Sequence, residues 1–239
     1  MATEFISAVS GGRRIRGILS LPKKPSTPCV IVSHGLFSSK DSDKFVAIAE
    51  YFSERGIAVI RYDHHGCGES DGDIGDTTVT ARIGDLEAIF DVAVNHPLLA
   101  NRIGLLGSSM GGFISIFKGA ADSGVKALVL WATPSHMGEG REEIEEDARR
   151  EGVPLLKEAF YTDWRRYDAR QAMQQVDHCL ILHGDTDEFV PVAQAEELYS
   201  LARHPKHVEI FRGGDHRFTD PQQRHRAIEM SFEWFERYL

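Results

Sequence analysis

Serine becomes a useful nucleophile only in company. Its hydroxyl is weakly nucleophilic at neutral pH, so it needs a base, and the base needs an acid to orient it. Gly107-Ser108-Ser109-Met110-Gly111 offers one such serine. Gly-x-Ser-x-Gly is weak as a bare pattern, but here it follows the apolar run Arg102 to Leu106 and opens a helical stretch. That strand–turn–helix context puts a serine on a sharp turn above a sheet's carboxyl edge, where small neighbours are required. Two later segments supply partners. His183-Gly184-Asp185-Thr186-Asp187 follows an apolar strand, and Gly213-Gly214-Asp215-His216 follows the last one. Asp185 and Asp187 both fit the acid role by pattern. Asp187 is preferred, with Asp185 expected to hold the loop by accepting backbone N–H groups.

The same edge should supply oxyanion donors. Ser33-His34-Gly35-Leu36-Phe37 follows the run Cys29 to Val32, so the Leu36 N–H is one candidate. The Met110 N–H, free at a helix start, is the other. Each such donor typically contributes about 2.7–4 kcal/mol to lowering the barrier. The chain has eleven histidines. His34 is read as shaping its loop through backbone hydrogen bonds rather than as the base. Asp63-His64-His65-Gly66-Cys67-Gly68-Glu69-Ser70 lacks the spacing of a phosphate-binding loop. Adjacent histidines seldom converge on one ion, so no metal site is expected there and the stretch reads as structural.

These residues require a frame. Glu4 to Val9 and Ile15 to Leu21 read as a hairpin across Gly11-Gly12. Strands then alternate with helices: Cys29 to Val32, Asp43 to Arg55, Ala58 to Tyr62, Thr77 to Asn95, Arg102 to Leu106 and Met110 to Ser123. The alternation resumes with Val125 to Trp131, His178 to Leu182, Val192 to Ala202, His207 to Phe211 and Pro221 to Tyr238. The strand runs are short, apolar and β-branched, as suits a sheet covered on both faces. The implied class is α/β, a mostly parallel doubly wound sheet with an N-terminal hairpin. Residues 1–239 read as one domain.

Residues 133–176 interrupt the rhythm and read as a short helical cap insertion. Glu139 to Glu151 holds seven acids and three arginines, with Glu145/Arg149 and Glu146/Arg150 at i, i+4 spacing, so a solvated helix is expected. Phe160, Tyr161, Trp164 and Tyr167 follow. Periodicity does not separate packing from ligand contact. Phe37, Phe160, Tyr161 and Trp164 are therefore carried as candidate substrate contacts, beside the plainer reading that the cap aromatics only anchor the insertion.

Composition narrows the class. The chain has 239 residues, 42% hydrophobic and 26% charged, and a net charge of −9. That acidity disfavours general binding to nucleic-acid backbones. No apolar run approaches the ~18 residues of a membrane span. Cys29, Cys67 and Cys179 are odd in number and widely spaced, which argues against a disulfide framework and fits a reducing cytoplasm.

Taken together, His34-Gly35, Asp63-x-x-Gly66-x-Gly68-x-Ser70, Gly107-x-Ser109-x-Gly111, His183-Gly184-Asp185-x-Asp187-x-x-Val190-Pro191 and Asp215-His216 resemble the α/β-hydrolase superfamily. Within it the chain looks most like bacterial carboxylesterases of the cinnamoyl/feruloyl esterase and serine aminopeptidase-like group. The resemblance implies Ser109 as nucleophile, Asp187 and His216 as its acid and base, and the Leu36 and Met110 N–H groups as oxyanion hole. Leu36 and Met110 stand where that group often has Phe and Gln, but only backbone N–H groups are needed. The expected reaction is hydrolysis of a small-molecule carboxylic ester through an acyl-serine, without cofactor or metal. A thioesterase, an aminopeptidase using acids of Glu139 to Glu151, and a non-catalytic binding protein of the same fold are the alternatives. The sequence leaves the oligomeric state open; an exposed insertion could make a homodimer contact.

Overall fold

The computed structural model describes residues 2–136 and 141–239. Strands β1 (Ala2–Ser10) and β2 (Arg13–Leu21) form the entry hairpin. β3 (Thr27–Ser33), α1 (Asp43–Glu54), β4 (Ala58–Tyr62), α2 (Val79–Val94), β5 (Leu99–Ser108), α3 (Met110–Ala121) and β6 (Val125–Trp131) follow. Then come α4 (Arg141–Glu151), α5 (Glu158–Trp164), α6 (Ala169–Met173), β7 (Cys179–Gly184), α7 (Val192–Leu201), β8 (Lys206–Phe211) and α8 (Pro221–Tyr238). The sheet runs β1-β2-β4-β3-β5-β6-β7-β8. Only β1/β2 and β2/β4 pair antiparallel; every other neighbour is parallel. This is the expected doubly wound architecture with an N-terminal hairpin.

The pleat sorts the apolar runs onto two faces. Cys29 and Ile31 of β3, Ile103 and Leu105 of β5, and Leu128 and Leu130 of β6 join one core with α2 and α3. Val30, Val32, Leu106, Val129 and Trp131 join the other with α1 and α8. Period-two alternation explains why strands that read as continuously apolar serve two cores at once. All three cysteines are free and buried. Burial pushes the Cys29 thiol up to about 12, so it behaves as a small core residue.

Several boundaries move. β5 starts at Leu99 rather than Arg102, because Leu99 pairs with Thr27 before a register shift. β7 runs to Gly184 instead of ending at Leu182, because His183 and Gly184 pair with Ile210 and Phe211.

The insertion contains α4, α5 and α6. On α4, Arg149 reaches Glu145 at 3.1 Å and Arg150 reaches Glu146 at 3.7 Å, the two pairs anticipated from spacing. The insertion is pinned to the sheet domain by α5. Trp164 stacks on Phe113 of α3 with centroids 5.4 Å apart. Asp163 accepts from the Thr80 amide at 2.8 Å and from its hydroxyl at 2.7 Å. Glu139, the first acid of the charged stretch, lies outside the described residues. No helix among the described residues is long and apolar enough to cross a membrane.

Candidate active site

Ser109 sits between β5 and α3 with φ +55° and ψ −121°. A non-glycine residue in that region carries strain of about 1–3 kcal/mol, which the surroundings must enforce. They do so here. The Ser109 amide donates to the Trp131 carbonyl at 2.8 Å, and its own carbonyl accepts from Phe113 at 3.0 Å. The chain turns so tightly that a Cβ on Gly107 would collide with the carbonyl of Gly111, and one on Gly111 with that of Ser33. These contacts are the physical reason for both glycines of the motif.

Asp187 follows β7 with its side chain fully shielded from solvent. Its Oδ1 accepts the amides of Phe189 at 2.9 Å and Val190 at 2.8 Å. Its Oδ2 lies 2.8 Å from His216 Nδ1 and 3.2 Å from His183 Nε2. Burial alone would raise this carboxyl. Hydrogen bonds from His183 and His216, the His216 charge and the Val190 amide override it and hold Asp187 well below the usual carboxylate range. His216 is thereby oriented through Nδ1, and Phe189 packs edge-on against its ring at 5.1 Å. Ser109 and His216 line one cavity of about 1030 Å³. No hydrogen bond joins their side chains among the described residues. Asp185 accepts the Gly213 amide at 2.6 Å, which ties the Asp187 loop to the His216 loop.

Leu36 and Met110 line the same cavity. Met110 is the first residue of α3, so its N–H has no partner within the helix. The loop at Gly35 passes beside Ser109: a Cβ on Gly35 would lie 3.6 Å from that of Ser109. A buried polar network holds this loop. His34 Nδ1–H donates to the Gly35 carbonyl at 2.7 Å, and its Nε2 accepts the His64 amide at 3.0 Å. Both ring nitrogens are committed. Burial first, then the neighbouring charges of His64 and Arg82, lowers the His34 pKa well below its ordinary value. His34 is therefore neutral and is not the base. Arg82, on α2 and wholly buried, donates to the Leu36 carbonyl at 2.9 Å and to Thr77 at 3.0 Å.

His64 and His65 both turn to Asp85, at 3.3 and 2.9 Å. Among the described residues no group of three or more His, Cys, Asp or Glu side chains is arranged to hold a metal ion. The loop at 63–70 closes around Lys40. Asp63 takes the Lys40 amide at 2.7 Å, its ammonium at 2.9 Å and the Glu69 amide at 3.0 Å. Gly68, at φ +49°, leaves room for the Asp63 carboxylate where a Cβ would strike it.

Among the aromatic candidates, Phe37 and Trp164 line the cavity. Phe160 and Tyr161 do not. Phe160 is fully buried against Trp164 at 5.0 Å, and Tyr161 packs on Phe160 at 5.4 Å. Both belong to the anchor of the insertion, which corrects the expectation of substrate contact for these two. Of the acids in the charged stretch, Glu142, Glu143 and Asp147 line the cavity. Asp147 and Glu151 are engaged by Arg217, the residue after His216, at 3.4 and 2.6 Å. The sequence reading missed His183, Arg82 and Asp85. For His183 a signal existed, since it opens the segment that carries Asp187. Arg82 and Asp85 lie on α2 with nothing in their spacing to distinguish them.

The chain is similar to several known proteins. The family model described as serine aminopeptidase, S33 matches residues 24–156, more than half of the chain. A mouse (Mus musculus) protein named palmitoyl-protein thioesterase ABHD10, mitochondrial, is 27% identical over 225 residues. That match covers 86% of this chain and 74% of the mouse protein. The uncharacterized protein YfhR of Salmonella typhi is 26% identical over 208 residues, covering 81% of this chain and 66% of that one. Among solved structures, the α/β hydrolase GrgF from Penicillium sp. sh18 superposes with a TM-score of 0.84 at 19% identity, covering 100% and 99% of the two chains. Est1E from Butyrivibrio proteoclasticus, solved with ferulic acid, gives 0.82 at 21% identity, covering 97% and 99%. With a strained serine elbow, an eight-stranded mostly parallel sheet and a matching family model, the chain belongs to the serine aminopeptidase S33 family of the α/β-hydrolase superfamily.

Proposed function

We propose that the protein hydrolyses carboxylic esters through an acyl-serine intermediate on Ser109. The observation that carries this reading is the Asp187–His216 pair, joined at 2.8 Å, with His216 lining the cavity that Ser109 also lines. His216 Nε2 takes the Ser109 proton as Oγ bonds to the carbonyl carbon, and the carbonyl π electrons move to oxygen. The N–H groups of Leu36 and Met110 receive that oxyanion. Collapse re-forms the carbonyl and breaks the bond to the leaving alcohol, which takes the proton from His216. Water then attacks the acyl-serine, gives its proton to His216 and releases the acid, and Ser109 regains its proton. Asp187 fixes the His216 tautomer and stabilises the imidazolium. A thioester substrate is the second reading, favoured by the similarity to a protein named as a thioesterase. The same steps serve it with a thiol as leaving group. Three free, buried cysteines fit a reducing cytoplasm as the place of action. A fluorophosphonate probe followed by peptide mass spectrometry tests the nucleophile. An adduct on Ser109 agrees with the reading; a folded protein that stays unlabelled contradicts it.

A further inference from the structure

Lys44 is the second residue of α1, and that first turn enters the cavity beside Ser109. Its ammonium donates to the hydroxyl of Ser108, the residue preceding Ser109, at 2.8 Å. An ammonium has three donors. Among the described residues Lys44 meets no carboxylate within ion-pair distance. Arg224, in the first turn of α8, lines the same cavity and likewise has no acidic partner among them. Arg217 is the third cation close by, but Asp147 and Glu151 engage it.

The surroundings make Lys44 an uncomfortable cation. Burial, then the positive charge of Arg217, push it down to about 8; Asp215 pulls the other way, Arg224 adds to the push, and Asp187 opposes it least. It remains charged at neutral pH, half-buried beside a second cation. The chain carries a net charge of −9, and Asp43, Glu142, Glu143, Asp147 and Glu188 line the cavity, but none of them pairs with Lys44 or Arg224. Of those in the cavity, Asp147 faces Arg217 and Glu188 accepts the His216 amide at 3.2 Å. Asp43, Glu142 and Glu143 are exposed. Uncommitted positive charge in a partly desolvated pocket is costly unless an anion joins it. A point-like ammonium beside a planar guanidinium suits the oxygens of a carboxylate or phosphate.

We propose that Lys44 and Arg224 form an anion-binding subsite, and that the preferred substrate is an ester or thioester bearing a carboxylate or phosphate. The preference rests on the hydrolytic reading of Ser109; the subsite itself does not. The test therefore has two arms. In the first, kcat/KM is compared for matched esters: 4-acetoxybenzoate against phenyl acetate, and 4-nitrophenyl hydrogen glutarate against 4-nitrophenyl butyrate. The first pair places the anion on the leaving group and the second on the acyl chain. The subsite predicts at least about tenfold preference for the anionic member of one pair, falling as ionic strength rises. Lys44→Met and Arg224→Gln should each lower that ratio about tenfold, and Lys44→Arg should keep most of it.

The second arm needs no turnover. In the Ser109→Ala protein, benzoate and phenyl phosphate should bind at least about tenfold tighter than benzamide, with Lys44→Met abolishing the difference. Which of the two anions binds better separates carboxylate from phosphate. No hydrolysis with selective anion binding would overturn the ester reading and leave the subsite standing. Ester ratios near one, or ratios that neither variant alters, together with equal binding of benzamide and the anions, would overturn the subsite.

Discussion

Arg82 Nη2 lies 2.9 Å from the carbonyl oxygen of Leu36, 46 residues away in sequence. The guanidinium is fully buried and spreads its donors over Gly35, Leu36 and Thr77. An oxyanion hole depends on donors already aimed before charge develops. The loop that carries the Leu36 N–H, the proposed oxyanion donor, is thus held by its own carbonyls from a helix on one face of the sheet. Arg82 touches no reacting atom in the proposed reaction; it is a positioning residue.

Replacing Arg82 by Met should therefore lower kcat by about 10- to 100-fold while KM changes less than threefold, since the lost interaction matters most in the transition state. It also leaves buried carbonyls unpaired, at about 1–3 kcal/mol of stability. Steady-state kinetics beside a thermal melt separates the two effects. A fall in Tm with unchanged kcat would mean Arg82 only supports the fold.

The orienting role proposed for Asp187 makes a second expectation. Asp187→Asn keeps the size of the side chain but offers His216 Nδ1 an amide that favours the wrong tautomer. A fall in kcat of about 10⁴-fold is expected. Ester turnover by the purified variant checks it, and a loss below tenfold would assign the acid role elsewhere.

Acid should destabilise the fold before the carboxylates titrate. His64 is fully buried, and burial pushes it from 6.5 down to about 4. Between those values the unfolded chain binds a proton that the folded chain does not. Stability is then lost as pH falls from about 6.5 to 4, by roughly 3 kcal/mol from this residue at most. Asp85, its partner, stays ionised throughout: burial would raise it, but His64 and His65 hold it well below the usual range. Denaturant melts of wild type and His64→Gln across pH 7 to 4 test this. The variant should show a shallower acid slope; identical slopes would contradict it.

Trp164 joins cap to core by stacking on Phe113 and also forms part of the cavity wall. Trp164→Ala should cost about 3–5 kcal/mol if the packing is as tight as the burial implies, and should raise KM severalfold. Unfolding curves and ester kinetics on the one variant read both. A change in KM without a change in stability would make Trp164 a substrate contact alone.

How much of this was legible beforehand follows from what each residue depends on. Ser109, Asp187 and His216 each sit just past an apolar run, so chain pattern alone placed them on one sheet edge. The hairpin and the alternating elements were readable because β-branched runs and helical stretches are separated by Gly, Pro and polar turns. Phe160 and Tyr161 were indistinguishable from Trp164 because aromatic spacing reports burial and not which cavity is faced. Arg82, Asp85 and Lys44 reach the site only through tertiary packing. On a sequence they are ordinary charged positions of helices, and the partners that define them lie 20 to 64 residues away.

In the proposed reaction Ser109 carries the acyl group. The most direct measurement is hydrolysis of p-nitrophenyl acetate, butyrate and octanoate by wild type and Ser109→Ala, with folding of both verified. Turnover by the wild type is expected, with a rate in the variant lower by at least about 10⁴-fold and a chain-length profile set by the acyl pocket. Equal rates in the two proteins, or no turnover of any ester by folded wild type, would contradict it.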